Sequence, residues 1–166
     1  PFSLHELERA GIRSPSLDEM LWAGGYPPLY DRGLLPGAWF PAYVAAYVER
    51  DVRQLLKIQD LEAFQRFVRL CAGRSGQILN LSSLATDCGI THNTARAWIS
   101  VLEDSYILFL LRPHHANFSK RLIKSPKPYF YDTGLLCWLL GIQSAGQLAN
   151  HPLRGQIFET FIASEL

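Results

Sequence analysis

The residues best suited to chemistry lie in the middle of the chain. Thr91, His92, Asn93, Thr94 and Arg96 follow a short glycine-containing turn and open an apolar-periodic segment. Asn and Arg can each offer paired hydrogen bonds to base edges, and a threonine hydroxyl can reach a phosphate oxygen. A second group is cationic: Lys120, Arg121, Lys124 and Lys127 are spaced to meet several phosphates in succession, and each neutralised phosphate adds salt dependence to binding. Two other readings stay open beside nucleic-acid contact. Thr91 is a good helix N-cap in its own right, and the cations could pair with acids of an adjacent domain or of the N-terminal third.

The elements needed to position these groups can be read from spacing. Leu84 and Ala85 face inward on a short helix capped by Ser82 or Ser83, Cys88-Gly89-Ile90 makes a turn, and Thr91 caps a longer helix through Ala95, Trp98, Ile99 and Leu102. That is the helix-turn-helix pattern, in which the second helix offers its first residues to a groove. Tyr106 to Pro113 and Lys127 to Tyr131 read as strands, with a basic loop from His114 to Ser125 between them. Together they predict a winged helix with a long basic wing.

Upstream, the spacing predicts a helix from Leu4 to Gly11, a short apolar segment capped by Ser16, and a fixed loop at Gly24-Gly25-Tyr26-Pro27-Pro28. A long amphipathic helix runs from Ala38 to about Ile58, a second from Leu61 to about Gly73, and Ile78 to Leu81 reads as a short strand. Downstream come a short apolar helix over Leu135 to Leu140, stopped by Gly141, and a final helix carrying Ile157, Phe161 and Ile162. The fold class is therefore mainly α, with a small β component.

Composition bounds the function. The 166 residues are 48% hydrophobic with mean hydropathy +0.02, a globular balance. No apolar run reaches the roughly 20 residues of a membrane helix, and Pro1 to Ala10 does not resemble a signal peptide. Cys71, Cys88 and Cys137 lack metal-ligand spacing and read as reduced, buried thiols, which fits a cytoplasmic location. Nine of the fifteen acids fall within the first 62 residues, whereas Ser105 to Tyr131 has none, so a polyanion is the natural partner of that stretch. No phosphate loop, HExxH or GxSxG is present, so these residues by themselves are expected to catalyse nothing and to hold no cofactor or metal. Asp132, Glu159 and Glu165 read as solvated carboxylates, Glu159 being the acidic candidate if metal chemistry is present. A chain that starts at Pro1 and stops inside an apolar helix reads as an internal piece of a longer protein.

Several motifs carry a resemblance: Gly24-Gly25-Tyr26-Pro27, Tyr47-Val48-Glu49-Arg50-Asp51-Val52, Leu84-Ala85 with Gly89-Ile90 and Thr94, Lys120 to Lys127, Tyr129-Phe130-Tyr131-Asp132-Thr133-Gly134-Leu135, and Gly155-Gln156-Ile157-Phe158-Glu159. In this order they resemble the domain of unknown function that follows the ATPase module in a large group of prokaryotic AAA-type ATPases. The resemblance covers nearly the whole chain. It implies an ATPase module before Pro1, where ATP and magnesium would bind, and a restriction-endonuclease-like fold completed after Leu166. Residues 1–60 would then be a helical linker, 61–131 the winged helix and 132–166 the start of the nuclease-like part. In that fold Glu159 takes the first acidic position of a metal site, with the remaining ligands beyond Leu166. The resulting expectation is a DNA-binding module that also contacts its own ATPase module and C-terminal domain, with no membrane partner and with oligomerisation open. The alternatives are a protein-docking module of the ATPase and part of a metal-dependent nuclease.

Overall fold

The computed structural model describes residues 1–47, 60–114 and 125–166. Ser3 opens α1 (Leu4–Arg9) with a reciprocal bond to Glu6, and Ser16 opens α2 (Leu17–Ala23), its hydroxyl accepting from the Glu19 amide. Of the loop expected at Gly24 to Pro28, Gly24 to Tyr26 is one, while Pro27 and Pro28 open α3 (Pro27–Asp31). Pro27 sits at the first helical positions, where a missing N–H costs nothing. Pro36 opens α4 (Pro36–Ala46) in the same way, and the remainder of the predicted long helix lies outside the described residues.

Asp60 caps α5 (Leu61–Gly73), which buries Phe64, Phe67, Val68 and Cys71 at the predicted period. Ile78 to Leu81 does not form the expected strand. Asn80, rather than Ser82 or Ser83, caps α6 (Leu81–Cys88) by accepting from the Ser83 amide, so the chain turns helical before a ladder can develop. Thr91 caps α7 (His92–Asp104) as predicted. Strands β1 (Leu108–Leu111) and β2 (Lys127–Phe130) then pair antiparallel, with Leu108 opposite Phe130 and Phe109 opposite Tyr129. The amides of Gly76 and Leu79 donate to the Pro128 and Pro126 carbonyls, both at 2.8 Å, which lays the segment before α6 along β2. Three helices follow: α8 (Thr133–Leu139), α9 (Ala145–Ala149) and α10 (Arg154–Ser164).

One continuous core joins these pieces. It runs from Leu21 on α2 through Phe64 and Phe67 on α5 to Leu135 on α8 and Ile157 on α10, crossing the boundaries at 60 and 131 that the sequence suggested. Trp98 of α7 sits edge-on to Phe64 and Phe67, with ring centroids 5.2 and 5.3 Å away. Each fully buried phenylalanine contributes about 2–3 kcal/mol of transfer free energy, so this triad fixes α7 against α5. The three cysteines are buried and free, as expected, and burial pushes all three thiols up.

Four helices end in one and the same turn. In α6 the Gly89 amide donates to Thr86 O and the Ile90 amide to Ala85 O, with Gly89 at φ 70°. This is the Schellman arrangement, in which a left-handed residue lets two amides reach back to otherwise unpaired carbonyls. Gly11-Ile12 after α1 and Gly141-Ile142 after α8 repeat it. At the end of α7 the same bonds run from Tyr106 to Glu103 and from Ile107 to Leu102, with tyrosine in the left-handed position at φ 54°.

Candidate nucleic-acid interface

Helix α7 sorts its residues by face. Ala95, Trp98, Ile99 and Leu102 are buried, whereas His92, Asn93, Arg96, Ala97 and Ser100 are exposed. Asn93, Arg96, Ala97 and Ser100 recur at helical spacing, so they form one outward stripe beginning at the helix N-terminus, where the aligned peptide dipoles place partial positive charge. No carboxylate enters that stripe before Glu103 and Asp104 in the last turn. Thr91 sits at the head of it, but its hydroxyl accepts from the Thr94 amide at 3.1 Å and lies 2.8 Å from the Thr94 hydroxyl. Both threonines are thus engaged in capping, and the contact groups left for a partner are Asn93, Arg96 and His92.

The cationic group divides differently. Lys120, Arg121 and Lys124 lie outside the described residues. Lys127, on β2, reaches Glu159 of α10 at 3.1 Å, and the Tyr129 hydroxyl donates to the same Glu159 oxygen at 2.5 Å. Tyr129 and Lys127 together hold the Glu159 carboxyl below the ordinary carboxylate range, and Glu159 holds the Lys127 ammonium above its usual value. Burial, followed by the bond to Glu159, raises the Tyr129 hydroxyl. Lys127 and Glu159 are each about half exposed, with side chains 43% and 48% accessible, so the pair is a solvated one of modest strength. Glu159 is therefore occupied by two donors of its own chain. Among the described residues no group of three or more His, Cys, Asp and Glu side chains is placed to hold a metal.

Two polar contacts were not foreseen from the sequence. Arg74 at the end of α5 pairs with Asp87 of α6 and also donates to Ser83 at 3.1 Å, bracing the helix that precedes the turn. Asp132 is 2% exposed rather than solvated. One of its oxygens accepts from the Gly25 amide at 2.7 Å and the other from the Leu135 amide at 2.6 Å, so a single carboxyl caps α8 and pins the α2–α3 junction. Burial raises this carboxyl to about 6 against the opposing pull of those amides. A Cβ on Gly24 would come within 2.5 Å of Asp132, and one on Gly134 within 2.3 Å of the Ala23 carbonyl. The two glycine-containing motifs are thus two sides of one joint. The signal in the sequence was Asp-Thr-Gly-Leu, an N-cap residue type directly ahead of an apolar helix. Its partner Gly25, 107 residues away, carried no signal. Exposed Glu165 reaches back in a similar manner, accepting from the Leu4 amide at 3.0 and 3.1 Å.

The fold and this interface define a mainly helical protein in which a helix pair and a two-stranded hairpin present one exposed polar helix face. No helix among the described residues is long and apolar enough to cross a membrane. Residues 14–146 match the family described as "Domain of unknown function (DUF8612)", and the chain belongs to that family. It is also similar to an uncharacterized protein of Mycobacterium tuberculosis and to one of Mycobacterium bovis. Each is 32% identical over 157 residues, covering 93% of this chain and 36% of the relative. The chain thus spans little more than a third of the length of the curated relatives it matches. No solved structure matches it.

Proposed function

We propose that this chain is the nucleic-acid-binding winged-helix module of a larger prokaryotic AAA-type ATPase, with α7 as the helix that meets DNA and the segment from His114 to Ser125 as its basic wing. The observation that carries this reading is the exposed run of Asn93, Arg96, Ala97 and Ser100 on α7, with Asn93 and Arg96 nearest the positive N-terminus and the acids Glu103 and Asp104 held back to the last turn. Arg and Asn are the side chains able to bond base edges in pairs, and Ala97 and Ser100 are small enough to let the helix approach a groove closely. The acid-free sequence from Ser105 to Tyr131 supports the same partner.

Fluorescence anisotropy of labelled duplex DNA at about 50 and 200 mM salt tests this, since phosphate contacts lose affinity steeply over that range. Binding should weaken with salt, and it should fall further in a Lys120, Arg121, Lys124 triple-alanine variant and in Asn93→Ala/Arg96→Ala. Absence of binding at low salt would overturn the reading.

A further inference from the structure

The hairpin carries a run of rings that leads from the buried interior out to solvent. Tyr106 lies 5.8 Å from Tyr131, Tyr131 lies 4.9 Å from Phe109, and Phe109 lies 5.8 Å from Tyr129 at an interplanar angle of 28°. The cross-strand pairing of Phe109 with Tyr129 sets this ladder along one side of the sheet. Its two ends differ. Tyr129 is 2% exposed and closed off by its bond to Glu159, while Tyr106 is 70% exposed.

Tyr106 is also the costly choice at its position. Three other helices of this chain use glycine in the equivalent place, and a left-handed backbone costs a non-glycine residue roughly 1 kcal/mol. Burial does not offset that cost, because most of the ring stands in solvent. A strained residue held where it contributes little to folding points to a role for its side chain. Its electrostatic setting narrows the partner. Arg112 and His114 are exposed just beyond β1, in a stretch from Ser105 to Tyr131 that lacks acids. Of the acids in the last turn of α7, Glu103 is partly buried, and that burial raises its carboxyl against the pull of Arg112, while Asp104 is exposed.

We infer that the open end of this ladder, with Tyr106 outermost, is a stacking platform for unpaired bases, so that the ligand of the hairpin is single-stranded nucleic acid. The inference rests on the nucleic-acid reading above and deepens it. Bases within a duplex already stack on one another and show no free faces, whereas an unpaired base can lie on an exposed ring while Arg112, beyond the far end of β1, meets a phosphate further along the strand. Such stacking tolerates any sequence, because every base has a π-face.

The test uses oligo-dT carrying one 2-aminopurine, alongside a blunt duplex, with wild type, Tyr106→Gly and Tyr106→Phe. Glycine suits the left-handed turn, so Tyr106→Gly removes the ring without endangering the fold, which a melting curve verifies. Single-strand binding should quench 2-aminopurine. Tyr106→Gly should lose on the order of tenfold in single-strand affinity, in line with the loss of one stacked base, and Tyr106→Phe should stay close to wild type. Duplex binding should be the same in all three. Duplex binding without single-strand binding, or single-strand binding indifferent to Tyr106→Gly, would overturn this inference and leave the α7 reading standing. Ring-dependent single-strand binding without duplex binding would support the platform and overturn the groove-reading role of α7. Binding of neither would overturn both.

Discussion

Helices α6 and α7 stop in the same turn with different residues at its centre, and the difference separates what the backbone requires from what it tolerates. At Gly89 nothing lies within 4 Å of where a side chain would begin, so glycine is there for its φ of 70° alone. At Tyr106 the φ is 54° and the two reach-back bonds are the same, yet a large ring projects. The isoleucine that follows also differs in depth: Ile107 is 3% exposed and sits in the core, while Ile90 is only partly buried. The turn after α7 is therefore anchored more firmly from below. That anchoring is what allows a strained tyrosine to stand where glycine would be cheaper.

The largest expected effect comes from cutting that anchor. Ile107→Ala should cost about 3 kcal/mol in chemical denaturation, as for a large core residue, and Ile90→Ala only about 1 kcal/mol. Equal losses would show that the two turns are held alike. The next sharpens the comparison with a joint that caps by side chain instead of by turn. Asp132 retains a proton up to about pH 6 in the folded chain, whereas an unfolded aspartate releases it near 3.8. The native state thus holds more protons between those values, and stability should rise by roughly 2 kcal/mol as pH falls from 7 to 4. Asp132→Ala, which orphans the Gly25 and Leu135 amides, should lack that rise, so subtracting its pH profile from that of wild type should isolate it. A third pair has opposite signs: Gly89→Ala should destabilise by about 1 kcal/mol, and Tyr106→Gly should stabilise by a similar or smaller amount. Destabilisation by Tyr106→Gly would mean that the ring helps hold the hairpin. The smallest effect belongs to Glu159→Gln. It should change stability by less than about 1 kcal/mol, but by releasing Lys127 it should steepen the salt dependence of DNA binding by about one ion.

Much of the local structure was legible, because local structure follows from neighbouring residues. Ser16 and Thr91 cap helices as their types demand, the Phe64, Phe67, Val68, Cys71 period gives a buried face, and Leu108 to Leu111 pairs with Lys127 to Phe130. The errors arose where one residue serves two grammars. Proline after Gly-Gly-Tyr, a residue that cannot continue a helix, begins one. Asn80, read as part of an apolar strand, is a better cap than the serines behind it. Of the candidate interface, the outward face of α7 was readable from periodicity, but the neutralisation of Lys127 was not, since Glu159 lies 32 residues further on. Asp132 was unreadable for the same reason. A carboxylate looks solvated until its distant partner is known, and no periodicity encodes a side chain accepting from a backbone amide across the molecule.

The Asp132 joint also implies an order of assembly. Closing a flexible loop of 107 residues costs about 4 kcal/mol on the (3/2)RT ln n scale, more than two hydrogen bonds return. The stretch from α5 to β2 is held by contacts between elements that are neighbours in sequence, α5 with α6, α6 with α7, α7 with β1 and β1 with β2. Formed first, it would shorten that loop before Gly25 and Asp132 meet. The N-terminal helices would then dock last and open first, so in hydrogen exchange the Gly25 amide, although buried, should lose protection ahead of the amides of α7.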